Sequence, residues 1–224
     1  MREIFGRLCP QRHELKNSLA LVKGATYILS KTDQNPTDLA EINTISEAAD
    51  EAEEVINTLL DYSKGELGGR ELIHVGTIIR QILLLSKKET IQKNIKIRLN
   101  IDNKCYVDST SREALKVIMQ NIIINAIQAV DDDGTIVITC KKNDYYAFIS
   151  IKDDGPAITK EVMERIFEPF YTTKEDGNGV GLWISKRIAN SLGGNIIVAV
   201  DEDDMTEFDI TLPINSDIEG KAEQ

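Results

Sequence analysis

Residues 117–130 read Val-Ile-Met-Gln-Asn-Ile-Ile-Ile-Asn-Ala-Ile-Gln-Ala-Val. On this strongly apolar helix Asn121, Asn125 and Gln128 fall at i, i+4 and i+7, which a 3.6-residue period aligns along one face. Buried amides need partners. An amide network between helices would supply them, and so would Mg²⁺ carrying a polyphosphate, because Mg²⁺ prefers oxygen and takes only one or two protein ligands. The stripe alone leaves both readings open.

Working outward, helical runs at about 75–88, 111–130, 159–165 and 183–191 alternate with segments of period two at about 95–101, 135–140, 147–151, 195–200 and 208–212. That mixture predicts an α+β domain whose helices cover one face of a mainly antiparallel sheet. Toward the N-terminus the period changes. Leu15, Leu19, Val22, Thr26 and Leu29 step by four and three, the a/d seam of a packed helix ending near Ser30. Asn35 can cap and Pro36 can open a second helix, in which Ile42, Ala49 and Ile56 repeat every seven residues beside Ile45, Ala52 and Leu59. Gly65, Gly68 and Gly69 end it.

Two helices joined by a short turn make an antiparallel hairpin that cannot enclose its own apolar seams. Pairing two copies into a four-helix bundle covers them, which predicts a homodimer; packing of the hairpin on its own C-terminal domain is the alternative. The expected organisation is a hairpin domain at 1–67, a second domain at 71–215 and a polar tail at 216–224.

The 224 residues carry 26 Lys or Arg against 37 Asp or Glu, a formal net charge of −11, with 42% hydrophobic residues. A globular chain of that charge lacks the positive surface that tracks nucleic-acid phosphates or anionic lipid. Its cysteines, Cys9, Cys105 and Cys140, are odd in number, far apart and without ligand spacing, which argues against a disulfide scaffold or a zinc site and for a reducing compartment. No apolar run reaches the ~18 to 20 residues of a membrane span. The expectation is a soluble, cytoplasmic protein with no direct membrane span.

Three further groups of residues carry chemistry. His13 lies two residues before seam position Leu15, rotated roughly 200° from it on a helix, so it projects from the side of the bundle. Glu14 follows directly and Asn17 is one turn on, on the same face. An imidazole is a competent nucleophile when a carboxylate takes its proton. Next, Asp153, Asp154 and Gly155 end an apolar strand, where a carboxylate can accept from an exocyclic amine and glycine lets the backbone approach a flat base. Finally, residues 177–182, Gly-Asn-Gly-Val-Gly-Leu, open into a helix. Their converging N–H groups form a phosphate cradle that is neither a P-loop nor a dinucleotide fingerprint.

In this order, His13-Glu14-x-x-Asn17, residues 121–126, residues 153–158 (Asp-Asp-Gly-Pro-Ala-Ile), residues 167–174 (Phe-Glu-Pro-Phe-Tyr-Thr-Thr-Lys) and residues 177–182 resemble the H, N, G1, F and G2 boxes of two-component sensor histidine kinases. The resemblance spans residues 8–215. It implies a dimerising hairpin followed by an α/β-sandwich ATP-binding domain of the GHKL type shared with gyrase-like and Hsp90-like ATPases. It further implies that His13 is the phosphoacceptor, Glu14 its base, and Asn17 the residue that orients water for dephosphorylation of the partner. Asn125 would hold Mg²⁺ with Asn121 nearby, Asp153 would read the adenine amine and Gly155 would shape the base pocket. Gly179, Gly181 and Leu182 belong to the phosphate-binding lid, Phe167 and Phe170 look like its anchors, and Lys174 would approach the phosphates. The implied reaction is attack of His13 on the γ-phosphoryl group of MgATP, then transfer to an aspartate on a response-regulator receiver protein.

Two positions depart from the family pattern. Ser18 stands where proline is usual, so the first helix lacks that bend, and Ala157 replaces a glycine of the G1 box. Only twelve residues precede His13, which implies a separate sensor or input protein, or a catalytic core separated from a longer chain. A GHKL-type ATPase is the first rival. It needs a glutamate four residues before the metal-binding asparagine, and Asn121 stands there. A dimeric phosphotransfer or scaffold protein with weak kinase activity is the second.

Overall fold

The computed structural model describes residues 12–32, 35, 38–39, 41–43, 45–46, 49, 72–107, 110, 112–174, 177 and 179–214, with side chains from residue 20 onward. The chain divides into two compact units, Met1–Glu66 and Leu67–Gln224. Helix α1 spans Arg12–Thr32 and runs unbroken through Ser18. Asn35 then starts a second helical stretch: its carbonyl accepts the amide of Leu39 at 3.0 Å, the first bond of an N-capped helix. Of the seam positions, Thr26, Ile42 and Ala49 are buried, whereas Val22, Leu29 and Ile45 are 41%, 50% and 49% exposed, and off the seam Leu21 and Ile28 are 74% and 63% exposed. Residues 50–71 and the tail from 215 lie outside the described residues, and with them the seam positions Ala52, Ile56 and Leu59.

The second unit is α+β, as its mixed periodicity predicts. In chain order it contains β1 (Ile73–His74), α2 (Val75–Leu85), α3 (Lys87–Gln92), β2 (Lys96–Ile101), β3 (Tyr106–Val107), α4 (Arg112–Ala129), β4 (Thr135–Lys142) and β5 (Tyr146–Asp153). It continues with α5 (Lys160–Arg165), α6 (Gly181–Ser191), β6 (Asn195–Val200) and β7 (Thr206–Pro213). Five strands form one sheet in the order β2-β4-β5-β7-β6, and β1 pairs with β3 in a separate two-stranded ladder. Only β2 and β4 run parallel, through a crossover that contains α4. Every other pair in the large sheet is antiparallel.

Alternation decides which face is covered. Ile136, Ile138 and Cys140 of β4, Ala147, Ile149 and Ile151 of β5, and Phe208, Ile210 and Leu212 of β7 all point inward and are buried. They meet the apolar faces of α2, α4 and α6, which contribute Ile78, Ile82, Leu115, Ile118, Ile122, Ile184 and Ile188. The result is a two-layer sandwich, with Lys152, Glu207 and Asp209 on the other face. Lys152 there bonds Asp201 at 2.6 Å.

Three details depart from the sequence expectation. The run at 75–88 is two helices, because at Ser86 the backbone leaves helical geometry and its hydroxyl bonds the carbonyl of Ile82 at 3.1 Å. The glycine-rich segment enters α6 two residues early, at Gly181. Cys105 and Cys140 form a disulfide with a Cα–Cα distance of 6.3 Å, a correction to the reading that set pairing aside. The cause is the β2–β4 register: Ile101 lies opposite Cys140, and the turn after it, closed by Cys105 N–H to the Asp102 carbonyl, folds Cys105 back over that strand.

The C-terminal end of α4 is held by Lys93, whose ammonium donates to the carbonyls of Ile127, Gln128 and Val130 at 3.2, 3.3 and 2.9 Å. A cation on otherwise unpaired carbonyls opposes the negative end of the helix dipole. This clamp fixes the last turn of α4, where Asn125 and Gln128 project.

Candidate functional site

Strand β5 delivers two adjacent carboxylates with different fates. Asp154 is occupied structurally, since its Oδ1 accepts the Thr135 amide at 2.7 Å. Asp153 occupies an inward position of the strand, is 2% exposed, and receives one backbone bond, from Gly155 N–H at 3.2 Å. Burial pushes its carboxyl up to about 6, a rise opposed by the Gly155 N–H, strengthened by Asp154 and moderated by Lys174. Gly155 is required sterically: a Cβ there would lie 2.8 Å from the carbonyl oxygen of Ala129 at the end of α4.

Across the sheet, the residue in register with Asp153 is Thr206 of β7. Among the described residues, Thr206 Oγ1 is the buried side-chain polar atom without a hydrogen-bond partner. A buried hydroxyl left unsatisfied is costly, and its place beside Asp153 leaves a polar edge that a ligand or a bridging water would satisfy. The sequence reading passed over Thr206, because a threonine in a strand is ordinary and only the register pairs it with Asp153.

The polar stripe of α4 divides. Asn121 donates its amide to the Gly181 carbonyl at 2.9 Å and to Ser185 Oγ at 3.0 Å, which is the interhelical network and ties α4 to the start of α6. Asn125 and Gln128 instead turn their side-chain oxygens to the ammonium of Lys174, at 2.9 and 2.5 Å. Lys174 as a residue is exposed, yet its ammonium is turned inward. Desolvation there lowers its pKa, opposed by the charges of Asp153 and Glu89, with Lys93 adding to the decrease. Gln128 belongs to the stripe in sequence, but only the structure shows it facing the same cation as Asn125.

Between Phe170 and Gly179 the chain is pinched. Phe170 N–H donates to the Gly179 carbonyl at 3.0 Å, and both residues have positive φ, 66° and 67°. A Cβ on Gly179 would lie 2.5 Å from the Phe170 carbonyl carbon, so glycine is required. Of the two expected anchors, Phe167 packs edge-on against Phe208 at 6.5 Å with Lys186 over its ring at 5.0 Å, whereas Phe170 is 79% exposed. Gly181 and Leu182 form the first turn of α6, whose N-cap makes no side-chain bond. Glu175, Asp176 and Asn178 lie outside the described residues.

His13, Glu14 and Asn17 sit on α1, and their side chains lie outside the described set. His74, the other histidine, stacks edge-on against Tyr106 at 4.9 Å. Asn125 Oδ1 is a neutral oxygen that already faces a cation, so the donor present suits Mg²⁺, which would draw its remaining oxygens from a polyphosphate and water. No described helix is long and apolar enough to cross a membrane.

Comparison with known proteins accounts for both units. Residues 12–68 match the His Kinase A (phospho-acceptor) domain, and residues 110–216 match the Histidine kinase-, DNA gyrase B-, and HSP90-like ATPase family. A solved catalytic domain of histidine kinase ThkA is 30% identical with a TM-score of 0.60, covering 64% of this chain and 95% of that one. The chain belongs to the sensor histidine kinases. Its N-terminal unit is thus the phosphoacceptor-type helical region, and its C-terminal unit is the GHKL-type ATP-binding sandwich. Among curated relatives, the signal transduction histidine-protein kinase AtoS of Escherichia coli is 32% identical over 91% of this chain and 34% of its own length. Sporulation kinase E of Bacillus subtilis is 32% identical over 92% and 28%. The chain therefore spans about a third of the length of these relatives. The structure of ThkA in complex with response regulator protein TrrA aligns at 26% identity and TM-score 0.63, over 96% of this chain and 62% of that one.

Proposed function

We propose that this sensor histidine kinase transfers the γ-phosphoryl group of ATP to His13 and then to an aspartate of a response-regulator receiver domain. One observation carries the reading: a buried carboxylate beside an unsatisfied hydroxyl, Asp153 and Thr206, shares a domain with an ammonium held on the oxygens of Asn125 and Gln128. The first pair suits the amine edge of adenine, and the second suits the charge of a triphosphate and its metal.

In this reading the hairpin at 1–67 presents His13, the domain at 71–215 binds the nucleotide, and 216–224 is a polar tail. Asp153 accepts from the exocyclic amine, Gly155 admits the base, and Lys174 moves onto phosphate oxygens. Gly179, Gly181 and Leu182 supply backbone N–H groups to the phosphates. Asn125 holds Mg²⁺, whose contribution is neutralisation of phosphate charge. Asn121 braces α4 against α6. The His13 imidazole attacks the γ-phosphorus, the bond to the β–γ bridging oxygen breaks, ADP leaves, and Glu14 takes the imidazole proton; positioning and electrostatics carry most of the rate. Asn17 orients water when the receiver is dephosphorylated.

An ATPase of the same superfamily fits less well, because Asn121 stands where a water-activating carboxylate would be and its amide is committed to Gly181 and Ser185. Homodimerisation through the hairpin is supported by the apolar side chains α1 leaves uncovered. A receiver partner is supported by the ThkA complex. A net charge of −11 argues against nucleic acid. A cytoplasmic site of action completes the proposal.

Incubation with γ-labelled ATP and Mg²⁺ tests it. The expected product is an acid-labile, base-stable protein adduct, lost in Asn125→Asp and Asp153→Asn, whose label leaves the kinase when its receiver is added. An acid-stable adduct, or none, would refute the reading.

A further inference from the structure

Lys174 does more in this structure than stand near a phosphate site. Its ammonium bonds Asn125 Oδ1 at 2.9 Å and Gln128 Oε1 at 2.5 Å, and Asn125 Oδ1 is the oxygen that suits a divalent ion. Mg²⁺ bound there would sit ~2.1 Å from that oxygen. With the ammonium still on the same atom, two cations would crowd one neutral acceptor within a few ångströms in a partly desolvated site, where like charges repel strongly. Occupancy by one therefore disfavours the other.

We propose, building on the kinase reading, that Lys174 is a resident counter-cation that competes with Mg²⁺ for Asn125 and thereby sets the Mg²⁺ concentration at which the kinase takes up nucleotide. Three features support exchange rather than a fixed structural bond. Asn125 and Gln128 lie one turn apart on α4, so a single ammonium spans both oxygens and keeps them aimed at one point. Lys174 sits in a short turn, in which its own N–H donates to Thr172 Oγ1 at 3.1 Å and the Gly177 N–H donates to its carbonyl at 3.3 Å. Its four-carbon stem turns on rotatable bonds, so the ammonium can leave the amide oxygens without moving the backbone of residue 174. Lys93, in contrast, spends its ammonium on three backbone carbonyls at the end of α4 and cannot serve as the exchanging cation without uncapping the helix.

The competition has a signature that a plain phosphate contact lacks. Removing a phosphate contact weakens nucleotide binding at every Mg²⁺ concentration and leaves the Mg²⁺ midpoint in place. Removing a competitor lowers the midpoint. Binding of a fluorescent ATP analogue to the full chain, titrated with Mg²⁺, should show the midpoint falling roughly tenfold in Lys174→Met, the scale of one charge-assisted hydrogen bond. Gln128→Ala should also lower it, because it loosens the hold on Lys174 while leaving every charge in place; Lys174→Arg should stay near the parent. In thermal unfolding without nucleotide, Lys174→Met and Gln128→Ala should be non-additive, since both delete the same bond. A midpoint that stays or rises in Lys174→Met, a midpoint unmoved in Gln128→Ala, or strict additivity would each overturn the proposal. Failure of the unaltered protein to bind nucleotide at any Mg²⁺ concentration would sink the kinase reading and this proposal with it; binding with an unmoved midpoint sinks this proposal alone.

Discussion

Asp153 and Thr206 face each other across the β5–β7 ladder, both turned into the interior, and neither polar end is used up by the protein. The carboxyl receives one backbone N–H, and the hydroxyl receives nothing. Keeping this pair costs the domain stability, the kind of local cost that proteins accept at functional sites.

Thr206→Val separates that cost from any role in binding. Valine keeps the shape and deletes the unsatisfied hydroxyl, so the unfolding midpoint should rise by the equivalent of about 1 kcal/mol. Affinity for ATP should fall about tenfold if the hydroxyl serves the ligand. Calorimetric titration alongside thermal unfolding measures both, and unchanged affinity would remove Thr206 from the pocket.

The raised pKa of Asp153 gives a pH test with a definite sign. Its folded value of about 6 lies above the ordinary 3.8, so ionisation is disfavoured in the fold. The penalty is complete above about pH 6 and disappears below about pH 4. Asp153→Asn should therefore be more stable than the parent at pH 7 to 8, by about 2–3 kcal/mol, with the advantage shrinking between pH 6 and 4. Denaturant unfolding across that range checks it; an advantage that grows on acidification would reverse the argument. In the parent, affinity for an adenine nucleotide should drop as pH falls through 6, because a protonated carboxyl has less acceptor capacity.

Phosphoryl transfer should depend on the hairpin in a graded way. His13→Gln should abolish the acid-labile label and leave nucleotide affinity within a factor of about two, since substitutions at sites that share no partners act independently. Glu14→Gln should slow labelling by ~10²-fold, the scale of a lost general base. His74→Gln should label at the parent rate, because His74 is occupied by its contact with Tyr106. Persistent label in His13→Gln, read by mass spectrometry of the modified peptide, would relocate the acceptor.

Assembly is testable separately. Leu21, Val22, Ile28 and Leu29 of α1 are between 41% and 74% exposed in a single chain. A fragment ending at Gly65 should sediment as a dimer, and Leu21→Glu should weaken it. A stable monomer that keeps its helicity would remove the bundle.

Periodicity made most of the C-terminal architecture legible. Ile136, Ile138 and Cys140 alternate because one sheet face is covered, and the Asn125 stripe is visible because its neighbours are apolar. What escaped was of two kinds. Strands β1 and β3 have two residues each, too few to show a period. The rest depends on register: Cys105 meets Cys140 across 35 positions, and Gln128 acquires its partner from position 174. Asn121 is legible as a polar residue among apolar neighbours, but its commitment to α6 rather than to the Lys174 side depends on how two helices pack.

The pairing of Asp153 with Thr206 also bears on the order in which the domain assembles. β4 with β5, and β6 with β7, are close in sequence and can zip locally, whereas the β5–β7 pairing at this point joins residues 53 positions apart. Closing that loop costs chain entropy that the local hairpins do not incur, so the Asp153 end of the sheet should be completed among the last contacts. If nucleotide binds at that edge as proposed, it should stabilise contacts formed after the folding transition state. ATP should lengthen the lifetime of the folded domain and leave its refolding rate unchanged. Acceleration of refolding by nucleotide in stopped-flow measurements would place pocket formation early instead.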